Sequence, residues 1–373
     1  MQSKIPLVSV VIPMFNAAKF VTQTLESLLY QTMTDFEVVI VDDCSTDNSI
    51  EVVESLAPKF DGRLKLVKLP KNTGTPGLPR NVGIQLARGK YIAFLDCDDL
   101  YTKTALEELS TLAEKFQADV VNLNRRFHLY DGKALPVDDP RMTDFSELTN
   151  PKNFMLITGK RTPIDDSIRL ESNDFAERIK NWVSWEYRWG VPTLFCKRDL
   201  LIANQIFFPK IGMFEDMSFF FECLCKAQKI LRVPNVVYIV RPRVGSTTRN
   251  ENAVDVKKTF ETFLRVANDG FKEFERVMQK YPFFAANPDY HYAVLEFFFW
   301  RSYEWPWKFP NIYAQIPAFK LNELIKKEFQ PDDAALSAYL FNTVNVCRLQ
   351  IMSLQQQIAA LKKSKQEVSD VQK

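Results

Sequence analysis

Histidine is almost missing from this chain: 373 residues contain two, His128 and His291. The six cysteines, Cys44, Cys97, Cys196, Cys223, Cys225 and Cys347, form no CxxC pair. That leaves too few ligands for a zinc site, and reduced thiols of a cytosolic protein are expected. An excess of one charge is lacking as well, since 48 Lys and Arg stand against 46 Asp and Glu, a formal net charge of +2. Such a balance gives no electrostatic footprint for nucleic acid, and no nucleic-acid partner is expected. No apolar run approaches membrane-spanning length, and the start of the chain, Met1-Gln2-Ser3-Lys4-Ile5-Pro6, lacks the apolar core of a signal peptide. The expected location is cytoplasmic, with room for peripheral contact at the inner face of the plasma membrane. Glycine is missing where a dinucleotide or P-loop site would need it: the first strand runs into Met14-Phe15-Asn16-Ala17-Ala18, and no GxxxxGK[ST] occurs.

What is present is 46% hydrophobic residues, enough to fill a sizeable core, in a chain longer than one average domain. From Leu7 to about Asn124, short apolar runs alternate with amphipathic segments, as in β/α units around a mainly parallel sheet. Strands are expected over Val8–Pro13, Phe36–Val41, Leu64–Val67 and Tyr91–Leu95. Asn16 is placed to cap a helix with Phe20, Val21, Leu25, Leu28 and Leu29 on its inner face. Further helices are expected across 48–60 and 78–88. Residues 125–190 read as strand pairs and helices closing over a site, followed by a helix over 215–228 and a strand over 236–240. Two strands end in packed acids, Asp42-Asp43 and Asp96-Cys97-Asp98-Asp99. Charge gathered at a sheet edge is costly unless a cation or hydroxyl donors neutralise it, and the carboxyl edge is where open α/β sheets bind ligands. This is the layout of a divalent metal and sugar-nucleotide site.

Residues 7 to about 124 resemble the GT-A glycosyltransferases of family 2. The resemblance rests on Val8-Ser9-Val10-Val11-Ile12-Pro13-Met14-Phe15-Asn16, Val41-Asp42-Asp43-Cys44-Ser45-Thr46-Asp47, Pro79-Arg80-Asn81-Val82-Gly83 and Leu95-Asp96-Cys97-Asp98-Asp99, in the family's order. It returns at Phe214-Glu215-Asp216 and Arg241-Pro242-Arg243-Val244-Gly245-Ser246. It implies a GT-A α/β fold with Pro13 and Phe15 lining a base pocket and Asp43 accepting a hydrogen bond from the base, which favours a UDP-sugar donor. It implies that Arg80 holds the diphosphate, that Asp96 and Asp98 contact ribose and metal, and that Asp99 is the most direct ligand of Mn²⁺ or Mg²⁺. Hard carboxylate oxygens suit those ions. Asp216 would be the general base of an inverting single displacement, Glu215 would orient the acceptor or a loop, and Arg243 and Ser246 would fold over the diphosphate. The Pro-Arg-Asn form at 79–81 is similar to a variant in transferases that build or decorate bacterial wall and capsule polymers, so the acceptor is expected to be a glycan or lipid-linked glycan. A non-catalytic scaffold that binds nucleotide sugar is the alternative.

The resulting division is a catalytic domain over 1–253, with a nucleotide-binding half (1–124) and an acceptor half (125–253), a helical module over 254–331, and a last helix over 332–373. The aromatic cluster Phe297-Phe298-Phe299-Trp300 with Trp305-Pro306-Trp307 suits either a membrane surface or a buried helix and rigid turn. In the last helix Leu340, Val344, Cys347, Ile351, Leu354, Ile358 and Leu361 are spaced alternately by four and three. That heptad seam, with β-branched residues on one position and leucine on the other, suits packing on the protein's own helices or self-association, as a parallel coiled-coil homodimer first and a trimer second.

Overall fold

The structure is a computed structural model, and it describes residues 5–130, 133, 135–136, 138–158, 167–184, 186–243, 256–304, 318–328, 353–354 and 357–358. The chain divides into two compact units, Met1–Asn252 with Glu273–His291, and Ala253–Lys272 with Tyr292–Lys373.

The first unit begins with β1 (Val8–Met14), α1 (Val21–Leu29), β2 (Phe36–Asp42), α2 (Ser49–Leu56), β3 (Leu64–Lys68), α3 (Gly77–Leu86) and β4 (Tyr91–Phe94). β1, β2 and β4 are buried along their whole length, as near-continuous apolar strands covered on both faces require. β1 pairs parallel with β2 and β4, and β2 parallel with β3. Val21, Leu25 and Leu28 of α1 are buried in the core beneath this sheet. Asn16 does not cap α1, contrary to expectation. It takes a left-handed φ of 47°, and its Oδ1 accepts from the Thr46 amide at 2.8 Å, so it ties the loop after β1 to the loop after β2. Residues of this type tolerate that conformation.

Beyond β4 come β5 (Leu100–Tyr101), α4 (Ala105–Phe116), β6 (Val120–Leu123), β7 (Arg125–Leu129), α5 (Phe145–Leu148), β8 (Phe154–Thr158), β9 (Arg169–Leu170), α6 (Phe175–Val183), β10 (Leu194–Lys197), α7 (Arg198–Ala203), α8 (Glu215–Lys226), β11 (Ile230–Val233) and β12 (Tyr238–Val240). The main sheet has the order β3-β2-β1-β4-β10-β6-β11-β9. It is mixed: β10 runs antiparallel between β4 and β6, while β11 pairs parallel with β6 and antiparallel with β9. β4 and β6 therefore point the same way and end at the same edge as β1 and β2. A second sheet, β5-β12-β7-β8, stands beside it. Phe127 of β7 packs with Leu100, Leu129 and Ile239 in a small core, so Arg126 and His128 turn to the opposite face.

Residues 273–291 belong to this first unit, where buried Glu222 of α8 pairs with Arg276 at 2.9 Å and with Lys280. In the second unit a Cβ on Gly270 would fall 2.0 Å from Phe298 Cζ, so glycine permits the close approach of α9 (Val256–Met278) and α10 (Pro288–Glu304). Phe297, Phe298 and Phe299 are buried, as the packed-helix reading expects of these three, while the Trp300 side chain and Trp305-Pro306-Trp307 lie outside the described residues. Among the described residues no helix is long and apolar enough to cross a membrane.

Candidate active site

The acids after β4 sit in a tight turn, closed by the Asp99 amide donating to the Asp96 carbonyl at 3.0 Å. Asp99 is 7% exposed. The Tyr238 hydroxyl donates to its Oδ2 at 2.8 Å, and the Arg241 amide donates to its Oδ1 at 2.8 Å. Tyr238 also accepts from the Asp96 amide at 3.2 Å. Burial, then the charges of Asp98 and Asp96, push the Asp99 carboxyl well above its ordinary range, against the hydrogen bonds from Arg241 and Tyr238. Asp98 is more open. Its Oδ2 accepts from Arg243 Nε at 2.8 Å, and its Oδ1 accepts no hydrogen bond among the described residues.

Each oxygen of Asp99, the most direct ligand by resemblance, accepts one hydrogen bond in a buried setting, whereas Asp98 Oδ1 accepts none among the described residues. Among the described residues no three carboxylate, Cys or His groups form a cation cage. A Mg²⁺ or Mn²⁺ ion that takes most of its ligands from phosphates and water needs only one or two carboxylates, and Asp98 fits that role.

Arg241 and Arg243 differ in the same way. Arg241 is buried, with Nη1 donating to the Met142 carbonyl at 2.8 Å and Nη2 to the Phe20 carbonyl at 3.3 Å, so it locks the strand-end loop onto α1. Burial lowers its pKa to about 10, and the acids at 98 and 99 oppose that shift. Arg243 remains partly exposed on Asp98. Ser246 lies outside the described residues.

Arg80 is the hinge of the arrangement. Its guanidinium is buried, 2.7 Å from Asp96 Oδ1 and 3.5 Å from Glu215 Oε1, with the Phe208 ring 5.4 Å away. Burial works against its charge, but Asp96 and Glu215, joined by Asp216, raise its pKa. The next residue, Asn81, exchanges two 2.8 Å hydrogen bonds with the backbone of Phe208, and Phe208 stacks on Phe219 of α8 with centroids 4.0 Å apart. The Pro79-Arg80-Asn81 motif thus docks α3 on the segment that starts α8. Arg80, expected at the diphosphate, pairs here with Asp96 and with Glu215. Phe214 enters α8 with a left-handed φ of 63°, and the Met217 amide donates to Asp216 Oδ1 at 2.8 Å. Burial raises the Glu215 pKa while Arg80 lowers it.

At the other end of the edge, Asp43 is buried and accepts from the Thr73 amide at 2.9 Å and the Thr73 hydroxyl at 3.0 Å. Burial raises its pKa and the Thr73 bonds resist the rise. Pro13 is buried in β1. Phe15, the residue after that strand, leaves 47% of its surface exposed, and its backbone hydrogen-bonds Cys97. Tyr238, Thr73 and Arg241 were not singled out as site residues from sequence. Tyr238 stands in no motif and Thr73 only in the 72–80 segment that leads to Arg80, so their long-range partners reveal them.

A half-parallel sheet whose carboxyl edge joins an Asp-x-Asp turn, through a buried arginine, to a second acid pair is the layout of a GT-A-like α/β fold. Residues 9–170 match the model of "Glycosyl transferase family 2". The poly(ribitol-phosphate) β-N-acetylglucosaminyltransferase TarS of Staphylococcus aureus strain Mu50 is 33% identical over 202 residues, which cover 53% of this chain and 33% of TarS. The uncharacterised glycosyltransferase EpsJ of Bacillus subtilis is 29% identical over 245 residues, 65% of this chain and 63% of EpsJ. The chain thus spans from a third to under two thirds of these relatives' lengths. The crystal structure of S. aureus TarS 1–349 with UDP shares the fold, with a TM-score of 0.56 at 23% identity over 85% of this chain and 78% of that one.

Proposed function

We propose that the protein is an inverting, metal-assisted glycosyltransferase that moves a sugar from a UDP-linked donor to a bacterial surface glycan such as capsule, lipopolysaccharide or teichoic acid. The observation that carries this reading is the Arg80 bridge, which ties the nucleotide-side acid Asp96 to Glu215, the residue before Asp216. TarS, crystallised with UDP and with UDP-GlcNAc, supports a uridine donor.

In this reading the exposed Phe15 ring stacks on uracil beside Pro13, and Asp43 exchanges Thr73 for the base N3–H. Asp96 takes a ribose hydroxyl. A divalent cation held through Asp98, with Asp99 behind it, would neutralise the diphosphate as it departs. Arg243, released from Asp98, and Ser246 close over the diphosphate, while Arg80 adds positive potential from beneath. Asp216 removes the proton from the acceptor hydroxyl, whose oxygen attacks the anomeric carbon as UDP leaves from the opposite side. An α-linked donor therefore gives a β-glycoside. Glu215, held by Arg80, orients the acceptor or its loop.

A screen of UDP-sugars against the parent protein and Asp216→Asn tests the reading. Transfer should fall by at least about a hundredfold, the usual scale of general-base catalysis, with UDP affinity nearly intact. A large loss of UDP binding would contradict the role given to Asp216.

A further inference from the structure

Two orphaned polar atoms belong to residues two apart in the chain, where β6 gives way to β7. Arg126 Nε is buried without a hydrogen-bond partner, and Asn124 Oδ1 is buried and unpartnered two residues before it. Among the described residues no carboxylate pairs with Arg126. A buried guanidinium edge without a partner is costly, and such groups call for an explanation, commonly a ligand.

The frame around these atoms is fixed. Asn122 at the end of β6 donates to the Arg188 carbonyl at 2.6 Å and accepts from the Arg188 amide at 3.3 Å, while Arg188 Nε donates to the Asn124 carbonyl at 3.3 Å. This pins the 188–190 loop beside β7, where a Cβ on Gly190 would lie 3.9 Å from Arg126 Nη1. β12 and β7 pair with Ile239 opposite Phe127, so one step back Arg126 stands beside Tyr238, whose hydroxyl touches Asp96 and Asp99. β6 ends two strands from β4, roughly 10 Å along the sheet edge and away from the base pocket between β1 and β2. That offset fits what lies past the donor diphosphate.

We propose that Arg126, with Asn124 and the 188–190 loop, is a subsite for an oxyanion carried by the acceptor, a phosphate or carboxylate, with the Asn124 amide oxygen receiving a hydroxyl of the same ligand. A planar guanidinium suits such a group. The subsite deepens the transferase reading and rests on it.

The test titrates sn-glycerol 3-phosphate, glucuronate and, as the neutral control, glycerol into the full chain saturated with UDP. The phosphate or the carboxylate probe should bind and glycerol should not, and the stronger probe identifies which oxyanion is read. Arg126→Gln should weaken probe binding about tenfold or more, the scale of one lost charge-assisted hydrogen bond, while Arg126→Lys retains most of it. Gly190→Asp, which supplies an internal counter-charge without touching the core, should abolish it even if Arg126→Gln folds poorly. UDP affinity should be unchanged in all variants. Probe binding that survives Arg126→Gln and Gly190→Asp, or that competes with UDP, overturns the subsite. Failure of the parent to bind UDP would instead overturn the transferase reading, so the two are distinguished.

Discussion

Asp98 and Asp99 are neighbours in the chain, yet burial gives their carboxylates different work. Asp99 is enclosed by Tyr238 and the Arg241 amide, and its pKa is raised by burial and by Asp98 and Asp96. A raised folded-state pKa means that the native state holds the proton more firmly than the unfolded chain. The stability from this group is fully present below the ordinary carboxylate value of about 3.9 and is lost as pH rises through the folded value. Asp43 and Glu215 shift in the same direction, also through burial. The substitution Asp99→Asn removes one of these contributions. Its urea midpoint should therefore fall less than the parent's between pH 4 and neutrality, which denaturation at a series of pH values would measure. Parallel curves for the two proteins would remove the assignment. Transfer activity should drop in the same variant, because an amide cannot accept at both positions and loses a tie, to Tyr238 or to the Arg241 backbone, that holds the 96–99 turn.

At the scale of elements, α3 explains why its motif reads as it does. Arg80 and Asn81 reach forward to α8 and Phe208, while Gly83 on the next turn faces back to the sheet, where an added Cβ would lie 2.3 Å from Val11 Cγ1. Gly83→Ala must push α3 off β1 and should cost about 1–3 kcal/mol, the usual penalty for overpacking, seen as a lower Tm. Since Arg80 rides on the same helix, transfer should fall further than stability alone explains. This part of the fold was legible because its signals are local: apolar strands, acids at their ends and a helix motif appear in order between 7 and 99. β10 was not. Leu194-Phe195-Cys196-Lys197 is short, mostly buried and without alternation, and its antiparallel place between β4 and β6 is decided by pairing across about a hundred residues of chain. The acid pair at 215–216 was legible from its motif, but its link to Asp96 through Arg80 was not, because a motif gives residue types and not which ion pairs form.

At the scale of the whole molecule the open question is how many copies act together. Most of the seam, Leu340, Val344, Cys347, Ile351 and Leu361, lies outside the described residues. The two members that are described, Leu354 and Ile358, are 56% and 51% exposed. They are four residues apart, one on each seam position, so as a helix they share a face that a single copy leaves open to water. Covering such side chains against a second copy is worth on the order of 1–2 kcal/mol each when burial becomes complete, and three heptads of them suffice for a modest dimer. We predict a homodimer through this helix. The double substitution Leu354→Asp and Ile358→Asp should place charge on both seam positions and yield a monomer by light scattering, with UDP binding retained because none of the proposed site residues lies in the tail. An unchanged mass would show that the tail does not associate copies, and a mass of three chains in the parent would select the trimer.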